Sequence, residues 1–398
     1  METCWSSKAR STLLANKGIS RVIASFHDPQ AQLLWSEMKL KFEEAAHKGK
    51  ADVVKIVGLA KSFADNHHLA DVLEGLAVGV PVIAICMGEL GRLSRVLNTF
   101  MTPVTHPKLP FKAAPGQLSV KEILQLRAEL GLSPQREVVL FGHPISLSMS
   151  PTLHNAGFEA IGLPFHYSLS ESPDINHVRA IMTQPGFLGA SVTIPHKETV
   201  IPLLDSVSPA ASAIGAVNTV LKIEGKLYGD NTDWLGIGGT VSRKLSRAPK
   251  IGLVIGAGGT ARAACYTLKQ LGVTTLLIYN RTKEKAERLA GEFGGTACGK
   301  LEEAAAAGVD VIVGTIPANA QHEEALPASL FASHPVVVEL AYRPRRTPLL
   351  KQAEKAGCET VEGIDILIEQ GLYQFKTWTC CNPPAQIMAK TVQQAYKE

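Results

Sequence analysis

Val254-Ile-Gly-Ala-Gly-Gly-Thr-Ala-Arg262, followed by Leu277-Ile-Tyr-Asn-Arg-Thr282, decides the fold of the region around it. The first stretch is an apolar run of strand type that ends in a glycine cluster opening a helical pattern. The second is another apolar run, ending in Asn-Arg-Thr. Strand, helix and strand in that order make a βαβ unit. Gly256, Gly258 and Gly259 let the backbone turn tightly and approach a pyrophosphate, which sits on the free N–H groups at a helix N-terminus. Sites that prefer NAD end the second strand in Asp or Glu, which grips the ribose 2′-hydroxyl. Here Asn280, Arg281 and Thr282 stand in that place, and an arginine suits a 2′-phosphate. A glycine cluster alone also occurs as a structural turn. With the second strand and Arg281 in order behind it, the stretch reads as the NADP site of an oxidoreductase.

The chain has 398 residues, enough for two or three domains with separate cores. Hydrophobic residues make up 45% and charged residues 19%, the balance of a soluble globular protein. A net charge of +4, without any block of like charges, gives no reason to expect direct nucleic-acid binding. The seven cysteines, Cys4, Cys86, Cys265, Cys298, Cys358, Cys380 and Cys381, lack zinc-ligand spacing and read as reduced thiols. No metal is expected. Neither a signal-peptide core nor a run near the ~18 apolar residues of a membrane span is present, so a cytoplasmic protein without a membrane segment is expected.

Three regions separate by pattern. In the first, the apolar runs Arg21–Ser25, Asp52–Val57 and Pro81–Cys86 alternate with helical stretches Gln32–His47 and His68–Val78, which implies parallel βα units. A helical pattern over Ser119–Leu132 follows, and Ser133-Pro-Gln-Arg136 reads as a linker. A second βα series runs from Glu137 to about Asp233. The third region, Ile251 to about Glu362, carries the glycine turn and further strands at Asp310–Val313 and Val336–Leu340. The tail from Ile364 to Tyr396 is helical, with a break near Asn382-Pro-Pro384.

Small polar residues cluster in the middle region where loops should fall. Ser146-Leu-Ser-Met-Ser-Pro151, Ser191-Val-Thr-Ile-Pro-His-Lys197, Ala216-Val-Asn-Thr219 and Gly229-Asp-Asn-Thr-Asp233 offer hydroxyls, an amide, a lysine and a carboxylate. A polyhydroxylated, anionic small molecule needs such short hydrogen-bonding arms, with one acid–base group beside the carbon that exchanges hydride. Lys197 and Asp233 are the acid–base candidates. Each residue singly has a structural alternative: Ser150-Pro151 as a helix start, Asn231 and Asp233 as turn formers, Lys197 as a solvated charge.

Residues 137–398 resemble shikimate dehydrogenase, in the form found at the end of the fungal pentafunctional AROM polypeptide. The resemblance rests on Phe141-Gly-His-Pro-Ile-Ser-Leu-Ser-Met-Ser-Pro151, Val192-Thr-Ile-Pro-His-Lys197, Ile214-Gly-Ala-Val-Asn-Thr219, Gly229-Asp-Asn-Thr-Asp-Trp-Leu-Gly236, Asn280-Arg-Thr282, Ala341-Tyr-Arg-Pro344 and Glu369-Gln370. It implies NADP-linked interconversion of 3-dehydroshikimate and shikimate, or of a quinate-type cyclic hydroxy acid. It casts Lys197 and Asp233 as the catalytic pair, Ser148 and Ser150 on the substrate carboxylate, and Thr193, Asn218 and Gln370 on its hydroxyls. Arg281 and Thr282 would hold the 2′-phosphate. On this basis Lys197 lies in a different domain from the cofactor. Two departures stand out: Trp378-Thr-Cys-Cys381 where the family has Trp-Thr-Gly, and Ser191 where many members have Asn.

Residues 20–118 resemble the second half of type I 3-dehydroquinate dehydratase, an eight-stranded βα barrel that forms a lysine Schiff base. The motifs are Ala24-Ser-Phe-His-Asp-Pro29, Val53-Val-Lys-Ile-Val-Gly58, Met87-Gly-Glu-Leu-Gly-Arg-Leu-Ser-Arg95 and Phe111-Lys-Ala-Ala-Pro-Gly-Gln117. The resemblance makes Lys55 the Schiff-base lysine and His27 the acid–base group, both at strand ends, with Arg95 and Gln117 on substrate. Only about four of the eight βα units are recognisable, and half a barrel cannot close its core. The region reads as a relic, a dimerisation element supporting a homodimer, or a truncated gene product, without dehydratase activity.

The fold expected is therefore α/β: a shikimate-dehydrogenase-like two-domain unit preceded by an incomplete (β/α) barrel half. Residues 1–133 form the half barrel, 134–245 with 363–398 the substrate domain, and 246–362 the Rossmann NADP domain. Two other functions share these features. One is a quinate-pathway repressor, sensing a metabolite and acting through a transcription-factor partner. The other is a dehydrogenase recruited to fungal secondary metabolism. The retained Lys197, Asp233 and NADP turn favour an enzyme.

Overall fold

The computed structural model describes residues 6–47, 51–98, 102–133, 136–316 and 326–396. Cys4 and the Pro134-Gln135 step of the expected linker lie outside them. The chain divides into two compact units, Met1–Pro134 with Ile161–Pro164, and Gln135–Ala160 with Phe165–Glu398.

The first unit runs α1 (Ser7–Asn16), β1 (Ile23–Asp28), α2 (Trp35–His47), β2 (Val53–Leu59), α3 (Asp65–Glu74), β3 (Val82–Met87), α4 (Arg92–Leu97) and α5 (Val120–Glu129). The strands form one parallel sheet in the order β1-β2-β3. One sheet face packs Ala24, Val54, Ile56, Ala84 and Cys86 against Met38 and Phe42 of α2 and Leu69 of α3. Among the described residues this sheet has three strands, fewer than the four βα units expected. Pro103, Pro107, Pro110 and Pro115 explain the missing one, because each removes a ladder donor. The Phe111–Gln117 motif is instead a loop, closed by Gln117 donating to the Val104 carbonyl at 3.0 Å and accepting from Ala113 N–H at 3.1 Å. Helix α5 starts where Ser119-Val-Lys-Glu122 makes a capping box.

The second unit begins with β4 (Arg136–Gly142), α6 (Ser150–Ile161), β5 (Phe165–Glu171), α7 (Ile175–Met182), β6 (Phe187–Val192), α8 (His196–Thr199), β7 (Ser206–Val207), α9 (Pro209–Ile214), β8 (Thr219–Ile223), β9 (Lys226–Asp230) and α10 (Asp233–Ser242). Its six-stranded sheet has the order β5-β4-β6-β8-β9-β7, parallel across β5-β4-β6 and antiparallel across β6-β8-β9. There follow β10 (Ile251–Ile255), α11 (Gly259–Gln270), β11 (Thr275–Tyr279), α12 (Lys283–Phe293), β12 (Thr296–Cys298), α13 (Leu301–Ala307), β13 (Val311–Gly314), β14 (Val336–Glu339), α14 (Pro348–Lys355), β15 (Thr360–Val361), α15 (Gly363–Thr379) and α16 (Ala385–Ala395). The second six-stranded sheet is wholly parallel, in the order β12-β11-β10-β13-β14-β15.

That order reverses between β10 and β13, as in a doubly wound dinucleotide fold. Both faces of β10 are covered: Val254 belongs to one core cluster and Leu253 and Ile255 to another. A fully buried parallel strand therefore reads as a continuous apolar run, which is why Ile251–Ile255 was legible. Helix α11 presents Ala261, Ala264, Cys265 and Leu268 to the same cluster as Val254, at helical spacing.

Candidate active site

One edge of the β5-β4-β6-β8-β9-β7 sheet collects most of the polar motifs. Parallel strands β4 and β6 both end there. Because β8 runs antiparallel to β6, it starts at that edge, and β9 in turn ends there. The loop after β4 carries Ser148 and leads to Ser150, the segment after β6 carries Thr193 and Lys197, Asn218 precedes β8, and Asp233 follows β9.

Lys197 and Asp233 are both buried, with side chains 9% and 12% exposed, and Nζ donates to Asp233 Oδ2 at 2.5 Å. A lone buried charge would cost several kcal/mol, and pairing with the opposite charge offsets part of that cost. The carboxylate is further held by Asn218, whose Nδ2 donates to Oδ1 at 2.8 Å. Its own N–H donates to Asn231 Oδ1, and Asn231 Nδ2 donates to the Ala216 carbonyl, so Asn231 fixes the turn. Asp233 is also the first residue of α10, where the positive end of the helix dipole favours its charge. An ammonium oriented by a fixed carboxylate can pass one proton to and from a hydroxyl beside it.

Asn218 Nδ2 also lies 3.3 Å from Gln370 Oε1, and Thr232 Oγ1 donates to the same oxygen at 3.0 Å. Lys197, Asp233, Asn218 and Gln370 thus form one hydrogen-bonded group. Gly236 makes this possible: a Cβ there would lie 2.8 Å from Gln370 Cβ, so glycine lets α10 and α15 approach. Ser148 accepts from the Ser150 N–H at 3.2 Å. This serine pair and the half-buried Thr193 flank the same edge, with no side-chain bond to the group among the described residues.

Motif reading missed several members of this network. Thr232 sits inside a quoted motif, and its backbone N–H donates to Asn218 Oδ1 at 2.7 Å. Gln374, one helical turn beyond Gln370, donates to the Asn218 carbonyl and to Thr219 Oγ1. The Ser191 hydroxyl receives Tyr167 OH at 2.7 Å and donates to Gln374 Oε1 at 2.9 Å, so it braces α15. Burial pushes the Tyr167 phenol up, which keeps it a neutral donor. Beneath lies His154, stacked on Tyr167 with ring centroids 4.7 Å apart and edge-on to Trp378 at 4.9 Å. Cys380 ends α15 in a left-handed conformation (φ +54°), where a glycine would carry no steric cost.

At the glycine turn, Gly256 has φ +122°, and a Cβ there would strike Thr315 Oγ1 at 2.2 Å. Gly258 caps the twelve-residue α11 with no side-chain bond, and its missing Cβ faces open space. At the end of β11, Asn280 Nδ2 donates to the Thr282 carbonyl, with Arg281 and Thr282 exposed at the start of α12. An uncapped helix N-terminus beside open space, next to a basic strand end without an acid, fits an anionic dinucleotide. Lys197 lies close to this turn. Nζ donates to Thr260 Oγ1 at 3.0 Å, and a Cβ on Gly259 would come within 3.1 Å of Lys197 Cβ. The short α8 carries the lysine across to the start of α11, a placement no local pattern encodes.

In the first unit, Lys55 pairs with Ser25 and Ile83 in the sheet, and His27 lies two residues beyond Ser25 on the same face. Both are inside strands rather than at their ends, because β1 and β2 extend further than their apolar runs. Lys55 is half-buried and His27 exposed. Arg95 is 2% exposed, with Nη1 3.3 Å from the Pro103 carbonyl and Nε without a hydrogen-bond partner among the described residues. Gln117 is spent on closing its own loop.

Residues 140–220 match the shikimate dehydrogenase substrate binding domain, 241–333 the shikimate / quinate 5-dehydrogenase family, and 363–393 the shikimate 5'-dehydrogenase C-terminal domain. The chain belongs to the shikimate dehydrogenase family. Ahead of that region, residues 1–134 match type I 3-dehydroquinase. The pentafunctional AROM polypeptide of Malassezia globosa is 41% identical over 406 residues, covering 96% of this chain and 25% of the relative. The chain thus spans about a quarter of the length of the curated AROM polypeptides it matches. Among solved structures, the dehydroquinate dehydratase and shikimate dehydrogenase part of S. pombe AroM aligns with TM-score 0.66 and 36% identity, covering 99% of this chain and 79% of that one. Shikimate 5-dehydrogenase of Thermus thermophilus, solved with NADP(H) and shikimate, aligns with TM-score 0.59 and 33% identity over 66% of this chain and 100% of that one. Among the described residues no cluster of His, Cys, Asp or Glu could hold a metal ion, and no helix is long and apolar enough to cross a membrane.

Proposed function

We propose that this chain is an NADP-dependent shikimate dehydrogenase, interconverting shikimate and 3-dehydroshikimate in the cytoplasm. The observation that carries this reading is the buried 2.5 Å Lys197–Asp233 pair, bonded to Asn218 and facing an uncapped glycine turn. Residues 134–245 with 363–398 serve as the substrate domain, and 246–362 as the NADP domain. When bound, NADP supplies the hydride acceptor for the carbinol carbon. Lys197 takes the hydroxyl proton as that carbon is oxidised and returns it in the reverse direction, while Asp233 holds the amine in line. Asn218, Gln370 and Thr193 orient the ring hydroxyls, and Ser148 with Ser150 receive the carboxylate. The deciding experiment is a spectrophotometric assay of NADP⁺ reduction with shikimate and with quinate separately. Turnover of neither would reject the enzyme and leave the metabolite-sensor role, which no present observation favours.

Arg281 is assigned to the 2′-phosphate with Thr282. Arg281→Asp should weaken NADP⁺ binding by roughly 10²-fold, by loss of a charge-assisted pair and gain of repulsion, and should spare NAD⁺. Titration of both nucleotides into both proteins measures this; an unchanged NADP⁺ affinity would reassign the phosphate site.

The first unit is assigned no dehydratase activity. A Schiff-base lysine must be unprotonated inside a walled, desolvated pocket, and a three-stranded sheet supplies only part of one. The 398-residue chain should give no borohydride-trapped adduct at Lys55 with 3-dehydroquinate. A mass shift on the Lys55 peptide would overturn that assignment.

A further inference from the structure

We propose that Thr260 is a positioning residue through which occupancy of the glycine turn orders Lys197. This rests on the dehydrogenase reading above. The Lys197 ammonium has three N–H groups. One goes to Asp233 at 2.5 Å and one to Thr260 Oγ1 at 3.0 Å, leaving one for a substrate oxygen. Because Thr260 Oγ1 accepts from the lysine, its own proton must point elsewhere. No group among the described residues takes it. Thr260 is the second residue of α11, at the uncapped end whose N–H groups face outward. A phosphate oxygen on the turn is the acceptor this hydroxyl lacks.

The surroundings make the contact stiff. The position a Gly259 Cβ would take lies 3.1 Å from Lys197 Cβ and 3.3 Å from Cδ, so the turn and the lysine stem are in contact through the missing side chain. Two residues beyond Thr260, Arg262 Nε donates to the Ile214 carbonyl at 2.6 Å, and the same guanidinium pairs with Glu292 of α12. Gly215 leaves room for this, since a Cβ there would lie 2.5 Å from Arg262 Nη2. The start of α11 is thereby tied to the segment that leads into Asn218. An anion that accepts the Thr260 hydrogen bond fixes the hydroxyl rotor and aims its lone pair at Lys197. Ordering the lysine in advance lowers the cost of ordering it for substrate, so the two ligands bind cooperatively.

The test is the dissociation constant of NADP⁺ measured by calorimetry with and without saturating shikimate, in the full chain and in Thr260→Val, Thr260→Ala and Thr260→Ser. Valine keeps the shape and removes the hydroxyl; serine keeps the hydroxyl. The wild-type protein should show a coupling ratio of at least about fivefold, the low end of ordinary allosteric coupling. Valine and alanine should bring the ratio to within about twofold of unity, and serine should restore it. In turnover, valine should lower kcat more than it raises the KM for shikimate. A valine variant that folds and keeps the wild-type ratio overturns the proposal, as does a wild-type protein without coupling. If the wild-type protein fails to bind NADP⁺ at all, the dehydrogenase reading itself falls.

Discussion

Lys197→Ala should lower kcat for shikimate oxidation by roughly 10²–10⁴-fold, the range for removal of a positioned acid–base group. Among the described residues, Lys197 is the amine bonded to the Asp233–Asn218 group, so no neighbour replaces it. Removing it also leaves Asp233 as a buried carboxylate short of its cation. Some stability should therefore be lost alongside activity, on the order of 3 kcal/mol. Lys197→Met keeps the apolar stem against Gly259 but not the cation, so it restores the packing while both the penalty at Asp233 and the loss of turnover remain. NADP⁺ affinity should fall a few-fold in the alanine variant, because the stem packs on the turn. Stopped-flow hydride transfer at saturating ligands measures the chemical step. Wild-type turnover by either variant would sink the acid–base role of Lys197.

Acid should destabilise the second unit through His154. Burial against Tyr167 and Trp378 pushes this imidazole from 6.5 down to about 3. Below pH 6.5 the unfolded chain gains a proton at His154 that the folded chain refuses until about pH 3. Stability from this group is therefore complete above 6.5 and falls as pH drops through that window. The slope is roughly 1.4 kcal/mol per pH unit, which accumulates to on the order of 4–5 kcal/mol across the window. His154→Leu removes the titrating group and should flatten the slope by about one proton equivalent. Urea unfolding of both proteins at about pH 7, 5.5 and 4.5 measures it. Parallel pH dependences would show that some other group carries the acid sensitivity.

The dinucleotide fold was legible in the sequence because its signals are local. A buried parallel strand is a continuous apolar run, and a glycine turn into a helix is a matter of neighbouring φ angles, so Val254–Arg262 suffices to name both. The alternation of strand and helix likewise gave the first unit its parallel sheet. Chemistry was half legible. Lys197, Asp233, Asn218 and Gln370 were picked out by residue type and by resemblance, not by any spacing that would bring them together.

Their meeting depends on the antiparallel entry of β8 between β6 and β9, which turns the start of one strand and the ends of two others to one edge. Strand direction is set by tertiary packing and leaves no periodic trace. The bracing of that edge is longer-range still. Gln374 reaches Asn218 across 156 positions, Trp378 reaches the Val220 carbonyl across 158, and Lys197 reaches Thr260 across 63. Hydropathy and turn chemistry describe a residue's immediate neighbours along the chain, and so fixed which elements form. Which polar groups meet was decided only once those elements packed, because a hydrogen bond depends on distance in space rather than along the sequence.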